Sequence, residues 1–190
     1  LLQSDVEQAK CIFRAGEKAE SELRDEAGAL SRYLQAHRLS PETDSYALAI
    51  ERIYRVQERW DLLDGLLERR LEAAKTRSSQ VEIRLMQSEI RHTKLGEPVA
   101  AYDILRDALR LVDTHRAEPV YEAMAGLVKD MWAFPAIEEG LKARMETAEG
   151  PQSAAKLAQE LSFLYLEFVN DHDTGFEFLR KAAAYCPEDP

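Results

Sequence analysis

Segments with the period of an amphipathic helix alternate with short breaks along almost the whole chain. Between residues 45 and 76, apolar residues recur three and four positions apart on both sides of a short turn near 57–60. The residues that form this pattern are Ala47, Ile50, Tyr54, Leu63, Leu66 and Leu67. Because neither helix can bury its apolar stripe alone, the segment predicts a helical hairpin that packs against further hairpins of the same kind.

The breaks between predicted hairpins and helices are nearly evenly spaced, which indicates an internal repeat. They fall at 39–42, 75–79, 96–98, 114–118, 133–135, 149–151 and 171–174. Together with the turns inside the first two hairpins, they divide the chain into ten predicted helices in five pairs. The middle of each second helix falls at Tyr33, Leu67, Leu105, Gly140 and Leu179, which are 34, 38, 35 and 39 residues apart.

This period and a set of apolar and small residues in register resemble the tetratricopeptide repeat. The matching positions are Phe13, Ala29, Tyr33, Ala36, Pro41, Tyr54, Leu63, Leu67, Leu85, Ala101, Leu105, Ala108, Leu127, Ala136, Ala143, Leu166, Leu179, Ala182 and Pro187. The resemblance implies an all-α, right-handed superhelical solenoid of about five antiparallel helix hairpins. We expect a single array over 1–190, with repeats at 5–43, 44–77, 80–115, 117–149 and 153–189, as a fragment of a larger protein.

Composition supports the all-α prediction and narrows the range of partners. The chain is 45% hydrophobic and 32% charged, and no run of alternating apolar residues indicates a strand. Its net charge of −10 disfavours binding to nucleic acid or to anionic membranes. No apolar run approaches the roughly 18 residues of a membrane span, so we expect no membrane insertion.

No pattern of residues indicates catalysis, a metal site or a cofactor site. The phosphate-binding, dinucleotide-binding and hydrolase motifs are missing, and no two of the four histidines lie within one helical turn. We expect His37, His115 and His172 to be solvated or capping residues at helix ends, and His92 to be a half-buried structural residue. Cys11 is expected to be buried or half-buried, as cysteines in helices usually are. The sequence therefore predicts a protein that is not an enzyme.

Methionine and aromatic residues concentrate around the break at 133–135. Met124 is expected in the core of its hairpin, while Trp132 and Phe134 are expected to fill the turn between paired helices, as Trp60 does in the second pair. An alternative interpretation places Met131 and these aromatic residues on an exposed apolar surface that binds a partner. The recurrence of tryptophan at the same kind of turn favours packing.

The register also predicts which residues face a concave groove. These belong to the first helix of each pair, on the side away from its partner: Arg14, Lys18, Leu48, Arg52, Arg55, Met86, Ile90, Lys94, Tyr121, Ala125, Val128, Glu160, Leu164 and Glu167. This surface would be basic at its start, apolar in the middle and acidic at its end. Such a surface suits an extended peptide or a helix, with apolar anchors and orienting charges.

The sequence therefore predicts a non-catalytic scaffold that binds a protein or peptide partner in this groove. Two alternatives stay open: a module that associates with itself end to end, and a regulatory or sensory domain attached to an enzyme or transcription regulator. The two cysteines, Cys11 and Cys186, favour a reducing compartment such as the cytoplasm and also allow a periplasmic location.

Overall fold

The structure, a computed structural model, describes residues 2–113 and 117–186. For residues 2–4 it describes the backbone only. The described part is built from helices: α1 Leu2–Ser21, α2 Glu26–Leu39, α3 Asp44–Val56, α4 Trp60–Ala73, α5 Arg77–Thr93, α6 Pro98–Leu109, α7 Glu118–Lys129, α8 Ala133–Glu146, α9 Pro151–Leu164 and α10 His172–Tyr185. A five-residue π-helix, Tyr165–Val169, follows α9 directly and is called the π-turn below. The chain divides into two compact units, and the boundary falls between Ile90 and Arg91 within α5.

The prediction of an all-α chain is confirmed, since the described residues contain no strand. The ten helices match the ten predicted ones, and most ends differ by only a few residues. Pro98, Pro119 and Pro151 each lie in the first turn of a helix, where the missing N–H costs nothing. The break expected at 133–135 lies earlier, because α8 already begins at Ala133.

Neighbouring helices pack as the predicted hairpins require. Helix α1 packs against α2, α3 against α4, α7 against α8 and α9 against α10. The pair α5 and α6 spans the unit boundary and stays a prediction, as does the right-handed superhelix of the whole array. Pro187 and the repeat ends at 115 and 189 lie outside the described residues. In the part that the structure describes, no helix combines the length and the apolar character needed to cross a membrane.

In the first unit, α1 and α2 approach closely at a glycine. A Cβ on Gly16 would lie 2.6 Å from the ring of Tyr33, so a larger residue would push the two helices apart. The ring of Phe13 then packs between two buried tyrosines, with centroids 5.0 Å from Tyr33 and 4.7 Å from Tyr46. These contacts join α1, α2 and α3 through aromatic packing. The apolar stripe predicted for α3 and α4 is fully buried: Ala47, Ile50, Tyr54, Leu63, Leu66 and Leu67.

Glu20 ties the same three helices together through its carboxylate. Its Oε2 accepts a hydrogen bond of 2.9 Å from the hydroxyl of Tyr33, and its Oε1 accepts one from Arg52 Nη2. Burial, together with the hydrogen bond to Glu20, raises the pKa of Tyr33 to about 12. The Tyr33 hydroxyl therefore stays protonated and donates to Glu20 throughout the physiological pH range.

A second charged cluster lies between α3 and α4, around Glu51. The carboxylate of Glu51 accepts hydrogen bonds from Arg55 Nη2 at 2.9 Å and from Arg70 Nη1 at 3.1 Å. Only 10% of the Glu51 side chain and 13% of the Arg70 side chain are exposed. Arg70 Nε is buried without a hydrogen-bond partner. Glu51 therefore compensates a guanidinium that has little access to water.

Two predictions about exposure in this unit are wrong. His37 is buried in α2 with 4% exposure, and its Nδ1 has no hydrogen-bond partner. Although it lies near the end of the helix, the side chain turns into the core instead of capping the end. Cys11, in contrast, is exposed on α1 as a free thiol. Helical periodicity does not tell which face of a terminal helix is covered, and this face of α1 is open to solvent.

In the second unit, α6 packs on α7 and α8, and α8 packs on α9. Tyr165 stands at the centre of an aromatic group, stacked on Phe178 at 5.8 Å and edge-on to Phe134 at 5.6 Å between ring centroids. Its hydroxyl donates a hydrogen bond to Glu138, which also accepts one from Lys142. Burial and the bond to Glu138 raise the pKa of Tyr165. The prediction that Met124 lies in the core is confirmed, and Phe134, which was predicted to fill the turn between α7 and α8, is half-buried.

Removing the charge of Glu51 should destabilise the first unit. We expect Glu51→Gln to lower the free energy of unfolding by about 3 kcal/mol, because it removes the buried carboxylate that compensates Arg70 and leaves only the exposed Asp44, 3.5 Å away. Urea unfolding followed by circular dichroism measures the change. Glu177→Gln removes a partner from the exposed pair with Lys181 and should leave the unfolding midpoint unchanged. Equal effects of the two variants would contradict this role of Glu51.

Stability should also depend on the protonation of His37. Burial, reinforced by Arg69 and Arg70, lowers the pKa of His37 below its usual value of 6.5. The unfolded chain therefore takes up a proton at this site more readily than the folded one, so stability is complete above about pH 6.5 and falls as the pH drops. We expect the free energy of unfolding to decrease between about pH 7.5 and about pH 5.5 more in the wild type than in His37→Gln. Parallel pH dependences in the two proteins would show that His37 does not titrate in this way.

Candidate functional site

A concave pocket of about 400 Å³ opens between α6, α7 and α9 in the second unit. Its apolar lining comes from Tyr102, Leu109, Met124 and Phe163, and we call it the apolar pocket. Tyr102 and Met124 are each 1% exposed and form the floor, while Leu109 and Phe163 are half-buried. Concave sites of this size with an apolar lining are typical of ligand or side-chain binding.

Charged side chains surround the apolar pocket, and most of them are already paired. Arg106 Nη1 lies 3.2 Å from Glu160 Oε2 and 3.2 Å from Asp103 Oδ1. Arg110 pairs with Asp107 at 2.9 Å, but 66% of its side chain is exposed. Lys156 is exposed and has no ion pair among the described residues. The rim therefore offers the positive charges of Arg110 and Lys156, while Arg106 is largely neutralised.

An aromatic cluster adjoins the apolar pocket through Phe163. It consists of Tyr121, Phe163 and Phe168, whose ring centroids lie 5.5–6.3 Å apart. Phe163 and Phe168 meet edge to face at an interplanar angle of 83°. Tyr121 is 37% exposed, so the cluster presents an accessible aromatic edge. Because Phe163 belongs to both features, the pocket and the cluster form one continuous apolar surface.

The π-turn explains how Phe163 and Phe168 come together. In an α-helix, residues five apart point about 140° away from each other. The wider π-helical turn closes with i→i+5 hydrogen bonds and brings such residues to the same side. The π-turn Tyr165–Val169 begins two residues after Phe163 and contains Phe168. The interruption of the α-helix therefore builds the aromatic cluster.

Three features hold the π-turn in place. Asn170 ends it in the left-handed conformation, with φ of 61°. Asp171 then caps α10: its Oδ1 accepts the N–H of Thr174 at 3.1 Å, and its Oδ2 accepts the Thr174 hydroxyl at 2.7 Å. Gly175 lets α10 approach the π-turn closely, since a Cβ there would lie 2.6 Å from Leu166. These three features together fix how the chain reverses direction between α9 and α10.

The predicted groove residues of the second unit lie in different environments. Tyr121 joins the aromatic cluster, and Glu160 lies on the rim of the apolar pocket. Ala125 and Val128 are half-buried, and Lys94 and Glu167 are exposed. Leu164 is 0% exposed and belongs to the core, so its prediction as an open groove residue is wrong. The side of α9 that carries Leu164 is covered by its neighbours in the unit.

The predicted groove residues of the first unit are largely exposed, but they do not form a free basic surface. Arg52 pairs with Glu20 and Arg55 with Glu51, so two of the expected positive charges are neutralised. Arg14, Lys18 and Leu48 are exposed. Met86 is half-buried and lines a pocket of about 350 Å³ with the charged residues Glu42, Asp44, Arg70, Lys75 and Glu82. Ile90 is 2% exposed, so its assignment to the groove is wrong.

Met131 and Trp132 do not fill the turn between α7 and α8, and the prediction that Trp132 packs there is wrong. Trp132 is 80% exposed and Met131 is 73% exposed. The neighbouring Ala133 and Phe134 take the inward positions instead. Helix α8 begins at Ala133, earlier than expected, and this register turns Trp132 toward solvent.

Sequence reasoning missed most of the continuous apolar surface. Tyr102 and Leu109 come from α6, a second helix of a predicted pair, which was expected to face away from the groove. Phe163 and Phe168 are five residues apart, and on a regular α-helix this spacing places them on different faces. No group of three or more His, Cys, Asp or Glu that could hold a metal ion occurs among the described residues.

Comparisons with known proteins find similar chains among the solved structures. No protein-family model matches the chain, and no curated protein matches it by sequence. The crystal structure of YrrB, a TPR protein with an unusual peptide-binding site, is similar over 100% of this chain and 94% of that chain, with 18% sequence identity and a TM-score of 0.44. A likeness this weak carries no argument about binding, and the helical hairpins described above rest on the contacts of this chain itself.

The left-handed residue after the π-turn gives a test of how the aromatic cluster is built. Asn170→Val should lower the free energy of unfolding by about 1–2 kcal/mol, because a β-branched residue is strained at a positive φ. Asn170→Gly should leave it nearly unchanged, since glycine adopts this conformation readily. Urea unfolding of both variants measures the difference. A similar decrease of the free energy of unfolding in both variants would contradict a backbone effect and indicate a role of the asparagine side chain.

Proposed function

We propose that the chain is a non-catalytic interaction module that binds a peptide segment of a partner protein on the second unit. A large apolar side chain of the partner enters the apolar pocket, and the rest of the segment lies along the aromatic cluster. The observation that carries the proposal is the continuity of these two features through Phe163. A surface with one concave anchor point and an adjoining aromatic edge suits peptide recognition.

The charges around this surface suggest how the peptide is oriented. Arg110 and Lys156 lie on the rim of the apolar pocket, where they would favour an acidic residue next to the apolar anchor. Near the aromatic cluster, Glu118, Glu122 and Glu167 are exposed and have no ion pair among the described residues. A basic residue farther along the peptide would suit that end. Of the predicted groove residues, the proposal retains Tyr121, Ala125, Val128 and Glu160 as the binding face of this unit.

The exposed residues of the first unit form a second, weaker candidate surface. Arg14, Lys18 and Leu48 are exposed and stay available for a partner of the first unit. Arg52 and Arg55 would contribute less than expected, because a partner would have to compete with Glu20 and Glu51 for them. The apolar surface of the second unit should contribute more binding free energy than these residues, because buried aromatic and apolar contacts dominate binding hot spots.

Selection from a displayed library of random peptides tests this function without knowledge of the partner. The 190-residue chain should enrich peptides with an apolar residue flanked by an acidic one. Tyr121→Ala should weaken the binding of an enriched peptide at least about tenfold in isothermal calorimetry, because it removes the exposed edge of the aromatic cluster. Leu109→Glu should abolish binding by placing a charge in the apolar pocket.

Matched controls separate loss of the site from loss of the fold. Tyr185→Ala and Leu23→Glu change exposed residues away from the pocket lining and should bind the peptide as the wild type does. Circular dichroism checks that all variants keep their helix content. If enriched peptides bind Tyr121→Ala and Leu109→Glu with wild-type affinity, this surface is not the binding site.

A further inference from the structure

The turn between α7 and α8 presents an apolar projection to solvent. Met131 and Trp132, which we call the tryptophan knob, are 73% and 80% exposed. Among the large apolar residues that the structure describes, Trp132 is the most exposed. Isolated exposed leucines are ordinary on protein surfaces, but an adjacent Met–Trp pair is the composition of interface anchors.

The backbone of the tryptophan knob is held in a defined position at Trp132. Asp130 Oδ1 accepts the backbone N–H of Trp132 at 2.8 Å and that of Ala133 at 3.1 Å. The other oxygen of Asp130 lies 2.8 Å from His92 Nε2, so the turn is also tied to the last turn of α5. These hydrogen bonds lower the pKa of Asp130 and keep it charged. A preorganised anchor loses little conformational entropy on binding.

The size of the tryptophan knob indicates what kind of surface it needs. A buried tryptophan side chain contributes about 150–250 Å², whereas a standard interface buries about 800 Å² on each partner. Contact between two knobs alone would therefore be too small for a stable dimer. The knob needs a concave apolar surface on its partner, with further contacts around the rim.

The same unit carries such a surface in its apolar pocket. The cavity of about 400 Å³ has an apolar lining and leaves Arg110 and Lys156 on its rim. The tryptophan knob brings the carboxylate of Asp130 directly beside Trp132, and this charge is complementary to that of the exposed Lys156 on the rim. Within one chain the two features are separate, since Trp132 is solvent-exposed and does not line the pocket.

We infer that the tryptophan knob of one copy inserts into the apolar pocket of a second copy. The inference rests on the proposed function, because it assigns an occupant to the same pocket. Knob and pocket are different surfaces, so the contact is heterologous. In a dimer, the copy that inserts its knob keeps a free pocket, and the copy that receives it keeps a free knob. Association therefore proceeds head to tail, and a partner peptide that enters the pocket competes with it.

Sedimentation velocity of the 190-residue chain over a wide concentration range tests the inference. The wild type should sediment faster as its concentration rises. Trp132→Ser, which lacks the knob, and Leu109→Glu, which blocks the pocket, should each stay monomeric. An equimolar mixture of these two variants should form a dimer that grows no further, because only one knob and one intact pocket fit together.

Further variants keep the test valid if Leu109→Glu folds poorly. Lys156→Glu changes only an exposed residue of the rim and should weaken association several-fold by repelling Asp130. Leu23, in the first unit, is as exposed as Met131 of the knob. Leu23→Ser should therefore associate as the wild type does, because it removes an exposed apolar residue that lies outside the knob and the pocket. A wild type that stays monomeric at all concentrations would overturn the inference, as would a mixture that forms no dimer.

The two proposals fail in distinguishable ways. If selected peptides bind the pocket and the wild type never associates, the knob does not occupy the pocket but the proposed function stands. If the chain associates through Trp132 and no peptide binds, the pocket serves self-association and the proposed function is wrong. If a pocket-binding peptide dissociates the oligomer, both proposals are supported.

Discussion

The structure depends on the burial of one apolar stripe by each of its helices. Isolated helices of 12–20 residues, the lengths found here, are marginal in water, so each helix gains its stability from a neighbour. The stripes on α3 and α4 are buried where these helices pack on each other and α3 packs on α2, and Gly16 and Gly175 allow close approach of other elements. The turns of the hairpins α1–α2, α3–α4, α7–α8 and α9–α10 thus return the chain so that one stripe meets the next.

Close packing of amphipathic helices leaves polar atoms that need partners, and both units solve this in a similar way. In the first unit Tyr33 donates to Glu20, which also accepts from Arg52. In the second unit Tyr165 donates to Glu138, which also accepts from Lys142. Each carboxylate satisfies a buried hydroxyl and remains compensated by a cation. A charged residue that was predicted to face a binding groove, such as Arg52, therefore also stabilises the fold.

The candidate site arises where regular packing is interrupted. The π-turn brings Phe163 and Phe168 to one side and joins them to Tyr121, next to the apolar pocket. The early start of α8 turns Trp132 outward. Both departures from a regular repeat place apolar side chains where they do not contribute to the core. A pocket and a projecting tryptophan on one unit give the surface two alternative occupants, a peptide and a second copy.

The sequence by itself determined the helices, the turns and the hairpins within each unit, because these follow from apolar periodicity and from proline and glycine, which act locally. It also identified Tyr121 and Glu160 at the site. Only the tertiary structure decided that Ile90, Leu164 and His37 are buried and that Trp132 is exposed. Exposure depends on which neighbour covers a helix face, and a shift of register by one residue turns a side chain by about 100°. That rotation is the difference between a core residue and a binding residue, and no local pattern in the sequence records it.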